Sequence, residues 1–212
     1  MFNLIILIIS YLLGSISGSI IVSSVFFKED IRIKGSGNAG TTNTFRVYGK
    51  RYAIIAFLID IIKGVLAPLF ASLFNTEYGI YIASVAVVVG HCWPIFYNFK
   101  GGKGVATNSG VNVFFSPLIA FLQLIIFIVI NITTGLVSLS SLIMTISSII
   151  LFMIFNKINY ALLTVLIINA LIIFIKHKEN IVKLIKGKEN ITNLVKGMID
   201  KHKWGDIWKY QY

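Results

Sequence analysis

The sequence predicts an all-α, polytopic membrane protein of about seven transmembrane helices, one of them short and broken, with the N-terminus outside and the C-terminus cytoplasmic. Three observations carry that prediction. Apolar residues make up 57% of the 212 positions and the mean hydropathy is +0.86, well beyond what a soluble domain carries. They come in runs near the ~20 residues that cross about 30 Å of hydrocarbon as helix. Positive charge is gathered between those runs: of 19 Lys and Arg, six lie in residues 28–51, two in 100–103 and nine in 176–212. Cations concentrated in short loops beside spans mark a cytoplasmic face. That placement directs the net charge of +11 towards membrane orientation and away from nucleic acid. The single cysteine, Cys92, excludes an intrachain disulfide.

Residues 2–27 are almost uninterruptedly apolar or small, with no basic segment ahead of them and no clear cleavage site. They read as a retained first span rather than a signal peptide. Gly14 and Gly18 stand at GxxxG spacing, with Ser15, Ser17 and Ser19, so one face can admit a close neighbour. After the basic loop 28–51, a second span covers about 52–74 and carries Asp60 and Lys63 near its middle. Three residues apart, they share a helix face, and charge at that depth must be paired, so they read as an ion pair facing protein. Bracing the loops and taking part in chemistry are both open to that pair. Asn75 to Glu77 make an external turn, the third span covers 78–97 with His91 and Pro94 near its end, and the loop 98–104 returns to the basic face.

Between Val105 and Ile175 parity sets the count, since basic segments on one face require an even number of crossings between them. Four crossings fit if Ser116 and Pro117 divide the run, because proline is accepted in the first turn of a helix and not inside it. The pieces are about 106–115, 117–133, 140–155 and 158–175, with Thr134 to Leu139 cytoplasmic and Lys157 an exception on the outside. The first piece, with Thr107, Asn108, Ser109 and Asn112, is a polar partial span lining a cavity. Residues 1–189 then form the integral membrane domain. Residues 190–212, with Trp204, Trp208, Tyr210 and Tyr212, form a basic, aromatic tail that is either interfacial or unstructured.

Two glycine-rich basic stretches carry the chemistry. In GSGNAGTTN, residues 35–43, Gly35, Gly37 and Gly40 let backbone amides converge, while Ser36, Asn38, Thr41, Thr42 and Asn43 offer side-chain donors. Such a run can form an anion nest, and Arg46 just beyond offers a forked guanidinium to a phosphate. FKGGKG, residues 99–104, repeats the pattern with Lys100, Gly101, Gly102 and Lys103, and KHKENIVKLIKGKE, residues 176–189, adds a third basic segment. Alone, the first is more often a flexible connector and the second serves equally as a lipid-headgroup anchor. Together on one face they suit a substrate with more than one phosphate, or two phosphate-bearing substrates. No Walker loop, GxSxG, HExxH, HxxxxD or Cys/His cluster is present, which weakens hydrolase and metal readings and points to an already activated substrate.

These blocks, with GSI at 14–16, DIIKG at 60–64, GHCWPIFYNFKGGKGVAT at 90–107 and VSLSS at 137–141, resemble the PlsY family of bacterial acyl-phosphate:glycerol-3-phosphate acyltransferases up to Glu189. The resemblance implies seven helices in the bacterial cytoplasmic membrane, with the active site at the cytoplasmic face. It implies transfer of a fatty acyl group from acyl phosphate to the 1-hydroxyl of sn-glycerol 3-phosphate, without metal or cofactor. It further implies that a soluble acyl-phosphate-forming acyltransferase supplies the donor, that membrane lipid surrounds the enzyme and that nucleic acid plays no part. Carried over by position, Ser36, Arg46, Lys103, His177 and Asn180 are catalytic. Gly35, Gly37, Asn38, Thr42, Asn43, His91, Gly101, Gly102, Ser138 and Glu189 bind substrate. Ser17, Thr41, Gly135 and Lys183 depart from the usual pattern. The competing reading is a carrier or channel for an anionic phosphorylated metabolite, for which internal repeats or paired broken helices are expected. A lipid-binding surface protein is the third.

Overall fold

The computed structural model describes residues 1–155 and 159–191. Lys157 and the tail positions Trp204, Trp208, Tyr210 and Tyr212 lie outside the described residues. Among the described residues there are helices and turns but no strand. The helices are α1 (Phe2–Ser15), α2 (Gly18–Phe27), α3 (Thr41–Tyr48), α4 (Lys50–Ser72), α5 (Gly79–Cys92), α6 (Val105–Phe115), α7 (Pro117–Thr134), α8 (Val137–Phe155), α9 (Tyr160–Lys176) and α10 (Lys178–Ile185). Short 3-10 turns occur at Ile31–Ile33 and Ile95–Tyr97.

Four helical segments, α4, α5 extended through the following turn to Tyr97, α7 and α8, are long and apolar enough to cross a membrane, and up to six if the bent pairs α1–α2 and α9–α10 each count as one. At 23 residues, α4 reaches about 34 Å, enough for the hydrocarbon core. With 11 residues, α6 reaches only about 16 Å, roughly half of it, as its polar composition predicts. The break before α7 is chemical: Ser116 accepts a hydrogen bond from Ile119 N at 3.4 Å and Pro117 occupies the first turn. Gly135, at φ 71°, ends α7, and α8 begins at Val137 rather than near 140 because so little chain is needed for the reversal.

The first span, 2–27, is not one straight helix: it bends by 42° between α1 and α2. Ser17 adopts extended backbone and caps α2, accepting from Ile20 N at 3.4 Å. The break frees backbone groups at depth, and the charges of α4 receive them. Lys63 Nζ donates to the carbonyls of Gly14 (2.9 Å) and Ile16, while Asp60 Oδ1 accepts from Gly18 N at 3.3 Å. The cation thus meets the carbonyl end of α1 and the carboxylate meets the amide end of α2, as helix dipoles favour. Because of the break, the small face serves two neighbours: a Cβ on Gly14 would strike the backbone of Val87 in α5, and one on Gly18 that of Ala56 in α4.

Around α5 pack α1, α4, α6 and α9, while α7 and α8 close the bundle against α6 and α9. Their shared core includes Ile6, Ala67, Val87, Val88, Val111 and Ile172, with a second cluster of Ile119, Phe152 and Leu166 under α7 to α9. Buried amides staple the half-span in place. Asn169 Nδ2 donates to Asn108 Oδ1 at 3.0 Å, and Asn112 Nδ2 to Gln123 Oε1 at 3.0 Å. Such polar links hold helices where hydrophobic force between them is weak.

Candidate active site

The end of α5 is where the three basic segments meet. Arg32, paired with Asp30 at 2.7 Å, donates to the carbonyl of Tyr97 at 2.7 Å and so fastens the first glycine-rich loop. Lys176 at the end of α9 donates to the carbonyl of Cys92 at 2.9 Å, with its ammonium 5.0 Å from the Trp93 ring centroid. Gly102 N donates to the carbonyl of His91 at 3.1 Å, which folds the FKGGKG loop back on the helix it leaves.

Between these segments lies a cavity of about 670 Å³. Ser36, Arg46, Lys103, His177 and Asn180, which sit far apart in the sequence, all line it, as do Asn38, Thr42, Asn43, His91, Ser138 and Glu189. Gly35, Gly37, Gly101 and Gly102 do not. Their roles are conformational and steric. Gly35 and Gly37 have φ of 58° and 72°, while a Cβ on Gly101 or Gly102 would collide with the His91 carbonyl or ring. Nor is the first loop an open nest. Asn43 Oδ1 already accepts from Ser36 N at 2.8 Å, and its Nδ2 donates to the carbonyls of Lys34 (2.9 Å) and Ile31 (3.2 Å). That buried amide is a brace of the loop. Thr41 and Thr42, opening α3, present the helix N-terminus to the cavity instead.

The polar end is strongly cationic. Arg46 has no carboxylate within ion-pair distance among the described residues. Lys103 donates to Asn180 Oδ1, and Asn180 Nδ2 donates in turn to both carboxylate oxygens of Glu189, at 3.2 and 3.0 Å. Burial disfavours the Lys103 ammonium and outweighs the opposing pull of Glu189, with Arg46 adding to the depression, so the amine is pushed down to about 8. His177 stands in the turn after α9. Burial first, then the Lys103 charge, lower it to about 4. Its Nδ1 lies 2.8 Å from the Ile173 carbonyl, so the neutral ring donates there and keeps Nε2 as an acceptor. Ser138 Oγ, on the cavity wall, has no hydrogen-bond partner among the described residues, and the same holds for Thr41 Oγ1.

The other end is apolar and open at the side. Ile54, Phe57 and Ile61 of α4 face Phe121, Leu124 and Phe127 of α7 across the cavity. Ile54 (44%), Leu124 (45%) and Phe121 (59%) keep much of their surface exposed, which in a membrane means contact with lipid. Of the polar residues expected to line a cavity from α6, Ser109 does so, while Thr107, Asn108 and Asn112 are buried in the bundle; sequence reasoning missed Lys50, Asn131, Ser141 and Lys183 as lining residues. Asn131 carried a usable signal, an amide inside an otherwise apolar run; Lys50 carried none.

Comparisons with known proteins agree. A family model described as glycerol-3-phosphate acyltransferase matches residues 4–187. The chain is 41% identical over 177 residues to the glycerol-3-phosphate acyltransferase of Finegoldia magna, covering 84% of this chain and 89% of the relative. It is 43% identical over 190 residues to that of Enterococcus faecalis, with 85% and 87% covered. It also resembles the crystal structure of PlsY, an integral membrane glycerol 3-phosphate acyltransferase, in its glycerol 3-phosphate form. The TM-score is 0.86 and the identity 33%, over 92% of this chain and 98% of that one. The lysophosphatidic acid form of PlsY gives a TM-score of 0.83.

Proposed function

The chain belongs to the glycerol-3-phosphate acyltransferase family, and from that premise we propose that it moves a fatty acyl group from acyl phosphate to the 1-hydroxyl of sn-glycerol 3-phosphate. The products are lysophosphatidic acid and phosphate, in the first acylation of bacterial phospholipid synthesis. One observation carries the proposal: a single cavity joins a cationic, donor-rich end to an apolar trough open to lipid. The two ends match an acyl phosphate in head and tail, with room beside the head for a second small phosphate ester.

In this assignment Ser36 and Thr42, with the start of α3, hold the donor phosphate, and the acyl chain lies between α4 and α7. Arg46 and Lys103 hold the acceptor phosphate, Asn180 sets the Lys103 ammonium, and Glu189 sets Asn180. The Nε2 of His177 accepts from the glycerol hydroxyl and orients it. The hydroxyl oxygen bonds to the acyl carbon, the bond from that carbon to the phosphate oxygen breaks, and the hydroxyl proton passes to the departing phosphate. An acyl phosphate is a mixed anhydride with a stable anionic leaving group, so placement and charge stabilisation suffice, and an imidazole this weakly basic is not required to keep the proton. The seven-crossing topology, with α1–α2 as one bent span, α6 as a half-span and the site at the cytoplasmic face, belongs to the same proposal, as does a soluble enzyme that delivers the acyl phosphate. The gathering of cations at that end supports it.

The test is purified protein in detergent given palmitoyl phosphate and glycerol 3-phosphate, with Lys103→Ala as control. Phosphate and lysophosphatidic acid released together, and lost in the variant, support the assignment. Binding of glycerol 3-phosphate without product from acyl phosphate or acyl-CoA refutes it and favours a carrier, to be followed by uptake into liposomes.

A further inference from the structure

Asp60, Lys63 and His91 form a buried cluster, 1%, 3% and 3% exposed, in the cavity wall, where Asp60 and His91 reach the lining and Lys63 stands behind them. Lys63 Nζ lies 2.9 Å from Asp60 Oδ1 and 2.9 Å from His91 Nδ1, and the same ammonium holds the Gly14 and Ile16 carbonyls at the break between α1 and α2. His91 Nδ1 is also 3.4 Å from Asp60 Oδ1. The imidazole is therefore gripped on one edge. Its opposite edge, Nε2, occupies the space that a Cβ on Gly102 would need, and the His91 carbonyl accepts from Gly102 N. Lys103 is the next residue. A pair serving only to satisfy the helix break would have no need of a ring wedged between it and this loop.

We infer that His91, oriented by the Asp60–Lys63 pair, is a positioning residue that sets where the Gly101–Lys103 loop presents the Lys103 ammonium. The inference rests on the proposed function, since Lys103 is taken there to hold the acceptor phosphate. Packing leaves the loop little slack: the ring fills one side of Gly102, and the Ala39 carbonyl stands on another, 3.0 Å from the position of a Cβ. Removing the ring frees the loop while keeping every charge. The loss should therefore fall on acceptor binding and leave the donor and the trough untouched, because misplacement of a binding group by about 1 Å is enough to be felt.

The experiment is steady-state kinetics of purified variants that remain monodisperse. His91→Ala is expected to raise KM for glycerol 3-phosphate about tenfold or more and to leave KM for acyl phosphate within about twofold. His91→Asn, which returns an acceptor near the position of Nδ1 but no wedge at Gly102, should show the same split in milder form. The decisive arm is a double-mutant cycle with Gly102→Ala. The added methyl should raise acceptor KM several-fold in the native background and far less once the ring it would strike is gone. Effects that multiply independently within about twofold overturn the inference. Asp60→Asn with Lys63→Met should reproduce the His91→Ala pattern, and native constants in that folded double variant overturn the orienting role of the pair. Should the native protein make no lysophosphatidic acid, the proposed function falls, and the inference is read separately by site-resolved reductive methylation. Lys103 should then react several-fold faster relative to exposed Lys100 in His91→Ala, and an unchanged ratio overturns the inference.

Discussion

Raising the pH should weaken the hold of this enzyme on its acceptor through Lys103. Burial depresses that amine to about 8 from its ordinary 10.5, so its positive charge is present below pH 8 and is lost as pH rises through it. Near pH 7 about 90% of the free enzyme carries the ammonium and near pH 9 about 10%, so kcat/KM for glycerol 3-phosphate should fall about tenfold across that interval. Both substrates are already about 90% doubly ionised at pH 7, and gain little charge above it, since a phosphate monoester loses its second proton near about 6. The limb should vanish in Lys103→Arg, whose guanidinium stays charged throughout, even if the forked group lowers the plateau. The assay is initial-rate release of phosphate at limiting glycerol 3-phosphate from pH 6.5 to 9.5, with a no-enzyme blank for donor hydrolysis at each pH. A profile flat to pH 9.5, or the same limb in Lys103→Arg, would refute the placement of Lys103 against the acceptor phosphate.

Three further outcomes follow from the geometry. Arg46→Ala removes a charge-assisted contact worth about 1.5–3 kcal/mol, so acceptor KM should rise roughly 10- to 150-fold; unchanged activity and affinity would remove Arg46 from the acceptor site. Asn43→Ala strips the partners from Ser36 N and from the Ile31 and Lys34 carbonyls. Only the Ile31 carbonyl is left buried and unpaired, at about 1–3 kcal/mol, while the other two groups lose the amide that ties them together, so the first loop should become sensitive to limited proteolysis and turnover should drop, whereas native kinetics would contradict its bracing role. Gly110→Val places a side chain against the Ile61 carbonyl and Gly64, where α4 and α6 touch. Overpacking of that kind costs about 1–3 kcal/mol, a fall of several degrees in the thermal midpoint in detergent, while an unchanged midpoint would show that the crossing yields.

Much of the site could be read from one dimension because its residue types are chemically unusual for their setting. Arg46, Lys103, His177 and Asn180 stand in hydrophilic islands between apolar runs, and all four line the cavity. What misled was the assumption that a donor near a phosphate loop serves the phosphate. Asn43 has the right chemistry and spends it on the loop itself, and Gly101 and Gly102 make room for the His91 carbonyl and ring. The break at Ile16–Ser17 goes unread because the glycines and serines around it, Gly14 to Ser19, read as a packing face and no proline marks it. It becomes affordable only when Lys63 and Asp60, more than 40 residues on, supply the missing partners.

By itself the sequence determined that this is an all-α, multi-pass membrane protein with its cationic segments gathered together, and, through its motifs, the family to which it belongs. Those properties are sums over neighbouring residues: an apolar run long enough for hydrocarbon must close its own hydrogen bonds as helix, and charge must collect where water begins. Only the tertiary structure decided which donors face the cavity and which are consumed in holding it. It also brought the buried ion pair against both the broken first span and the His91 ring. Those outcomes depend on which distant atoms come within hydrogen-bond reach of Lys63, Asn43 and Gly102, and no local pattern in the chain records that distance.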